Sequence, residues 1–441
     1  MEEHAAVDSR SALADTPPST SIDENGFVVV TLESAAKAGR AACRAVERLV
    51  QGSNLFGETM VSGSFGTAVT AETTVRSIEP SDMILGCYLG RGGFSVVRKA
   101  CLASEADCKT YYAAKYLHSM AMANKRNFQR GASDLAIEAK LLGAMSHPNI
   151  IQLHGVTAGD VAVNFGTGRP MGFFLLLDQL SSTLERRIES WRKLDAKYNK
   201  IVVLHRDIRD FMGSGRQSLL EERLGVARDL ADALSYLHRR GVAFRDIKPD
   251  NVGFDQQNVL KLFDFGLANE LKPSRLLPDG TYKLTGNTGS TMYMAPEVAK
   301  SMPYNLSADA FSFGIVLWEI WATEKPYRGY SLTKYRECVI EGEHRPSLDE
   351  PEARTLWPSR IKDLMVRCWS KEPRSRPDFA SILTTVISIL EEQKSVSNHN
   401  KRRSRLLSLL GGVKTVKSLR SKSPPMSRWL RSEWASSVVK S

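Results

Sequence analysis

Ile84 to Ala100 alternates apolar and polar residues closely enough for two strands joined by a glycine turn, and Tyr111 to Leu117 reads as a third strand. The period then changes. Ser133 to Met145 carries apolar residues at helical spacing behind a polar cap, which predicts a helix. Phe173 to Asp178 is a short apolar strand, and beyond it the helical period dominates, in Leu219 to Arg239 and in the buried-looking Phe311 to Trp321. Strands first and helices second predict one α+β, two-lobed domain over residues 82–393, with lobes at 82–178 and 181–393. No internal repeat is visible.

The flanks have a different character. Residues 1–81 form an N-terminal extension whose start, 1–26, is acidic, rich in Ser, Ala and Pro, and reads as disordered. It has no basic start followed by an apolar core, so it does not read as a secretory signal. Residues 31–51 predict a helix with Leu32, Ala35, Ala42, Val46 and Leu49 on one side and Lys37, Arg40, Arg44 and Arg48 on the other. A helix docked on its own domain is the simpler expectation, a partner-binding helix the alternative. Residues 53–80 are rich in Gly, Ser and Thr and read as a linker.

Charge sharpens this division. The net charge is +11, yet 394–441 alone holds twelve Lys or Arg against one acid, Glu433, so the rest is nearly neutral. A basic tail, expected to be disordered, is the feature to explain. Lys401-Arg402-Arg403-Ser404-Arg405 is a candidate nuclear-import patch, and Leu406, Leu407, Leu409 and Leu410 beside it suit an anionic membrane surface or an acidic partner. Ser423-Pro424 is a candidate phosphosite. The tail has no recognised nucleic-acid fold, so no specific nucleic acid is expected. No apolar run reaches transmembrane length. The six cysteines are scattered without metal-ligand spacing, which points to reduced thiols in the cytoplasm or nucleus.

The chemistry lies in three short stretches in order: Arg245-Asp246-Ile247-Lys248-Pro249-Asp250-Asn251, Asp264-Phe265-Gly266 and Ala295-Pro296-Glu297. At these residues the chain resembles the protein kinase family, over roughly 82–393. The resemblance implies an antiparallel upper sheet with one main helix, a mostly helical lower lobe, and transfer of the γ-phosphoryl of ATP with Mg2+. It makes Asp246 the catalytic base, Lys248 the neutraliser of the moving phosphoryl group, and Asn251 and Asp264 the metal ligands. Leu89-Gly90-Arg91-Gly92-Gly93-Phe94-Ser95-Val96-Val97 is similar to the glycine-rich loop, with Gly90, Arg91, Gly92, Gly93, Ser95 and Val97 around the nucleotide. Ala113 and Lys115 end the next motif, and Lys115 would be held by an ion pair to Glu138. Leu177-Asp178-Gln179-Leu180 fits the hinge, with Leu177 guarding the back pocket and Asp178 and Leu180 beside adenine.

The chain departs from the family at three places. Ser95 replaces the third glycine, Phe244 replaces histidine before Arg245, and Gly253 stands where a leucine usually supports adenine. His205-Arg206-Asp207-Ile208 imitates the catalytic loop, but Met212 stands where its metal-binding Asn should be. Residues 186–217 are therefore assigned to a charged, exposed insertion. Glu297 with Arg376 is similar to the family's buried ion pair, Asp309 to the carboxylate that braces the catalytic loop, and Trp369 and Pro377 to the flanks of its last helix. Lys248-Pro249 and Gly289-Ser290 look like serine/threonine kinases, whereas Asp309 to Glu319 has a tyrosine-kinase flavour. The combination resembles the tyrosine-kinase-like group. Thr285 and Thr288 are candidate sites for an activating phosphate opposite Arg245, added by an upstream kinase or in trans. The rival expectation is a kinase-shaped scaffold that binds partners without turnover.

Overall fold

A six-stranded sheet builds the upper lobe, in the order β1-β5-β6-β4-β3-β2. Its strands are β1 (Arg76–Ile78), β2 (Met83–Arg91), β3 (Ser95–Leu102), β4 (Tyr112–Leu117), β5 (Leu153–Thr157) and β6 (Phe174–Asp178). The computed structural model describes residues 30–51, 53, 55, 75–105, 110–202, 209–349 and 357–410. Every neighbouring pair from β2 to β6 is antiparallel, as expected. The added strand β1 is parallel to β5. It lies inside the stretch expected to be linker, so structure begins before Asp82. Gly155 makes the pairing possible, because a Cβ there would stand 2.3 Å from Ile78 Cδ1 and 3.0 Å from the Arg76 carbonyl. Three residues are too few to show a period, which is why the sequence hid this strand.

Four helices complete the lobe: α1 (Leu32–Val50), α2 (Ser119–Ala123), α3 (Lys125–Gly143) and α4 (Val161–Gly166). α3 starts well before Ser133. Asn124 caps it by accepting from the Asn127 amide at 3.0 Å, and Ser133 lies mid-helix, donating to the Gln129 carbonyl. α1 begins as expected, with Thr31 capping Ser34. Its buried face is the small stripe Ala35, Ala38, Gly39, Ala42 and Ala45, whereas Leu32 is 77% exposed. The expected position of Leu32 on the docked side is thus corrected: backbone proximity, not side-chain bulk, chooses the face. The expected main helix of the upper lobe is α3, and α1 from the N-terminal extension packs beside it.

In the lower lobe the short strands β7 (Ser182–Thr183), β8 (Val242–Ala243), β9 (Val252–Phe254), β10 (Leu260–Leu262) and β11 (Asn269–Glu270) form two small antiparallel sheets. Its helices are α5 (Leu184–Val202), α6 (Arg209–Arg239), α7 (Pro296–Ala299), α8 (Ser307–Ala322), α9 (Leu332–Tyr335), α10 (Ser359–Cys368) and α11 (Phe379–Leu410). α8 is buried on all sides from Ala308 to Trp321, the pattern of a helix through the middle of a core. The expected insertion forms the outer parts of α5 and α6 where it is described. One side of it is buried, not exposed: Trp191 is fully covered, the Arg223 guanidinium lies over its ring, and Arg223 donates to Asp195 at 2.5 Å. The tail also departs from expectation, because α11 continues past 393 as helical backbone to Leu410. Ser423-Pro424, the residues 1–26 read as disordered, and the imitation motif at 205–208 lie outside the described residues.

Candidate active site

The sheet register places the first functional group. Val97 pairs with Lys115, and Ala113 with Leu177, so alternation directs Ala113 and Lys115 to one face between β3 and β6. There the Lys115 ammonium donates to both Glu138 oxygens, at 2.9 and 2.6 Å, and to Asp264 Oδ1 at 2.8 Å. Burial disfavours the charge on Lys115, but Asp264 and Glu138 outweigh it and hold the ammonium well above its ordinary pKa. The same ammonium holds Asp264 below the usual carboxylate range. Burial pushes Glu138 up, opposed by Lys115 and by the Phe265 amide, which donates to it. Two carboxylates from distant segments thus share one cation.

The second group sits on the loop after β8. Lys248 Nζ donates to Asp246 Oδ2 at 2.8 Å, and the Asn251 amide nitrogen donates to the same oxygen at 2.9 Å. Asp246 Oδ1 accepts from the Ser290 amide at 2.8 Å, and Lys248 also donates to the Ser290 hydroxyl at 2.8 Å. The β9–β10 hairpin joins the two groups. The Phe263 amide donates to the Asn251 carbonyl at 3.0 Å, which seats Asp264 beside Asn251. The charge of Lys248 reaches Asp264, adding to the larger effect of Lys115.

Asp309 holds this loop from within the core. Its carboxylate accepts from the Phe244 and Arg245 amides, both at 2.8 Å, and pairs with His238 at 3.0 Å. Phe244 packs edge-on against Phe265 with centroids 5.1 Å apart, so the ring replacing histidine keeps an apolar contact. Arg245 and Asp264 adopt left-handed backbones, at φ 69° and 67°, uncommon for residues with side chains. Bonds from Arg245 Nε to the Leu267 carbonyl at 2.6 Å and from Lys115 to Asp264 help hold them there.

The glycine loop closes the top. The Gly92 amide donates to the Ser95 carbonyl at 2.8 Å, and a Cβ at Gly90 or Gly93 would meet nothing within 4 Å. That leaves open space beside their backbones, the form of a phosphate cradle. The Arg91 side chain turns aside, donating to Met120 Sδ and lying 3.3 Å from His118. Phe94 packs on α3 at Gly131, where a Cβ would come within 2.9 Å of Phe94 and Leu117 atoms.

A family model described as protein tyrosine and serine/threonine kinase matches residues 83–386. The chain belongs to the protein tyrosine and serine/threonine kinase family. Among curated relatives, the dual specificity protein kinase shkC of Dictyostelium discoideum is 29% identical over 74% of the chain and 54% of its own length. The dual specificity protein kinase shkB of the same organism is 38% identical over 36% of the chain and 23% of its own. The serine/threonine/tyrosine-protein kinase HT1 of Arabidopsis thaliana is 31% identical over 41% and 48%. The chain thus spans about half or less of these relatives.

In the kinase frame, the stretch 177–180, expected to be the hinge, is distinctive. The Asp178 carboxylate is engaged with His154 at 2.8 Å and the Gln152 amide at 3.0 Å, so its side chain braces that stretch. Leu180 fills the place that a side chain at Gly253 would need, with Cδ1 2.6 Å from a Cβ built there. Glu297 and Arg376 form a buried two-pronged pair at 2.6 and 3.0 Å. In the sequence, Gly289-Ser290 marks only the substrate class. Gly289, at φ 100°, runs so close to the Arg245 carbonyl that a Cβ would lie 2.3 Å away, and Ser290 clasps Asp246. Asp134, one turn before Glu138, was also missed. Burial, with Glu138 and Asp264 nearby and Arg130 opposing, pushes its pKa up to about 6.

Proposed function

We propose that the protein is a protein kinase that transfers the γ-phosphoryl group of Mg-ATP to serine and threonine hydroxyls of protein substrates. One observation carries this reading: Lys115 bonds Asp264, while Asp264 sits beside the Asn251 that bonds Asp246. Asp246 would orient a substrate hydroxyl and accept its proton, with Lys248 beside it to balance charge on the moving phosphoryl group. Lys115 would hold the nucleotide's phosphates, its direction set by Glu138. The donor set fits a hard cation. Asn251 spends its nitrogen on Asp246 and keeps an amide oxygen, and Asp264 offers a carboxylate beside it. Bound there with phosphate, magnesium would neutralise phosphate charge.

Substrate class rests on Lys248 and Ser290, which are hydrogen-bonded beside Asp246. A second reading, action on tyrosine as well, gains from the printed names of shkC and HT1. The test is purified full-length protein with labelled ATP, magnesium and peptides that differ only in Ser, Thr or Tyr, against Asp246→Asn. Transfer to Ser and Thr that falls roughly 10²–10⁴-fold in Asp246→Asn supports the proposal. Equal transfer by both proteins would mean a contaminant or a different base, and no transfer by either favours the scaffold.

The proposal includes control by a phosphate on the activation segment, with Thr285 favoured over Thr288. Thr285 is exposed, its carbonyl accepts from the Tyr304 hydroxyl, and Arg245 donates to that hydroxyl at 3.3 Å. Thr288 instead donates to the carbonyls of Thr285 and Gly286. Thr285→Ala should lower turnover of protein isolated from cells, and an unchanged rate and phosphorylation state would remove the idea. Among the described residues no helix is long and apolar enough to cross a membrane. Cytoplasmic or nuclear residence is a proposal from the scattered cysteines and the basic patch, and contact of the basic tail with acidic proteins or anionic lipid is one from charge.

A further inference from the structure

α1 packs along α3 and α4. Near its start Lys37, and more weakly Lys125 of α3, hold the Glu33 carboxylate below its usual range. Along its middle, α1 touches backbone directly. A Cβ at Gly39 would lie 2.5 Å from the Ala162 carbonyl oxygen and 3.0 Å from Ala162 Cα in α4. Gly168, at φ 66°, follows α4 and lies against Val30 and Ala35. At the far end Lys272, 6% exposed, donates to the carbonyls of Arg48 and Leu49, both at 2.8 Å, and of Gln51. A cation on the terminal carbonyls of a helix is favourable for both. Lys272 follows β11 and is pinned by the Leu271 amide, which donates to the Gly241 carbonyl at 2.7 Å. The segment that starts at Asp264 therefore grips the end of α1, and α1 lies along the helix that carries Glu138.

We infer that α1 is a built-in brace that seats α3, and that Gly39 and Lys272 are positioning residues acting on the Lys115–Glu138 pair through it. The inference rests on the kinase reading above and adds its regulation: whatever lifts α1 releases Glu138 from Lys115. Glu138 stands on α3, which packs along α1, and α1 in turn meets α4 at close range through Gly39. Losing that packing leaves α3 fewer contacts on one side, while the sheet holds the other. A displaced Glu138 leaves Lys115 attached only to Asp264, so it can still meet phosphates but in the wrong direction. Such a loss acts on the transition state more than on binding.

The experiment uses the full chain with Gly39→Leu, Lys272→Met, Lys272→Arg and, on the exposed side of α1, Leu32→Gln. Hydrogen–deuterium exchange along 125–143 reports docking, and kcat and KM for ATP report positioning. Gly39→Leu and Lys272→Met should speed exchange in α1 and α3 but not in α8. They should lower kcat by roughly 10- to 100-fold with KM changed less than about threefold. Lys272→Arg, which keeps a cation for the carbonyls, should recover most of the rate, and Leu32→Gln should behave as wild type. Faster α3 exchange with unchanged kcat would overturn the inference, as would lost activity with unchanged α3 exchange. If Gly39→Leu does not fold, the Lys272 pair decides alone. If wild-type protein fails the Asp246→Asn comparison, the kinase reading falls, and exchange still tells whether α1 is docked.

Discussion

The two lobes hold their share of the site by different physics. Below, Asp246 stands on a loop whose amides end on the buried carboxylate of Asp309, with α8 packed on all sides beneath it. Above, Glu138 stands on a helix that meets the sheet on one side and packs along α1 on the other, and α1 buries a stripe of Ala and Gly. The lower arrangement cannot shift without orphaning buried hydrogen-bonding groups. Shifting the upper one slides small residues past each other and parts two anchors, the Lys115–Glu138 pair and the Lys272 bonds to the end of α1. A floor that is fixed and a roof that adjusts let the same residues be fully present yet out of line.

Asp309→Ala tests the floor and should have the largest effect. It removes the acceptor of two amides and the partner of His238, so stability should drop by about 3–5 kcal/mol in denaturant melts. A wild-type melt would break the contrast. Glu138→Gln tests the roof: turnover should fall roughly 10²-fold while the melt barely moves. Gly131→Ala is milder. Its methyl meets Phe94 and Leu117, so it should cost about 1–3 kcal/mol and raise the KM for ATP by displacing the glycine loop. Asp134→Asn should be smallest and depends on pH. The folded pKa of Asp134, about 6, lies above the ordinary aspartate value of 3.8, so the fold binds the extra proton between them and loses stability as pH rises through that window. The neutral variant should therefore melt higher than wild type at about pH 7.5 and nearly equal to it at about pH 4, by paired melts.

How legible each part was follows the same division. The stretch 245–251 and Asp264-Phe265-Gly266 stood out because the chemistry proposed for them needs fixed residue types at fixed spacing, and the structure brings them together. Glu138 was found by its distance from His147-Pro148 in the family pattern. The docked face of α1 could not be read, because Ala and Gly mark no side by hydropathy, and the more apolar Leu32 pointed the wrong way. β1 escaped for want of length. The contact of Ser290 with Asp246 escaped because a backbone amide makes it, which nearly any residue carries. Gly289 left a signal, a glycine beside a catalytic segment, that was legible as class but not as contact. The helical continuation of α11 through a basic tail escaped because high charge suggested disorder, while nothing punctuated the helix after 393.

The central claim is that Lys115 and Asp246 act on one bound triphosphate. A double-mutant cycle on turnover with Lys115→Met, Asp246→Asn and the pair measures this most directly. The account predicts strong non-additivity, the double variant being about as slow as the slower single one. Two rate losses that simply multiply would contradict it.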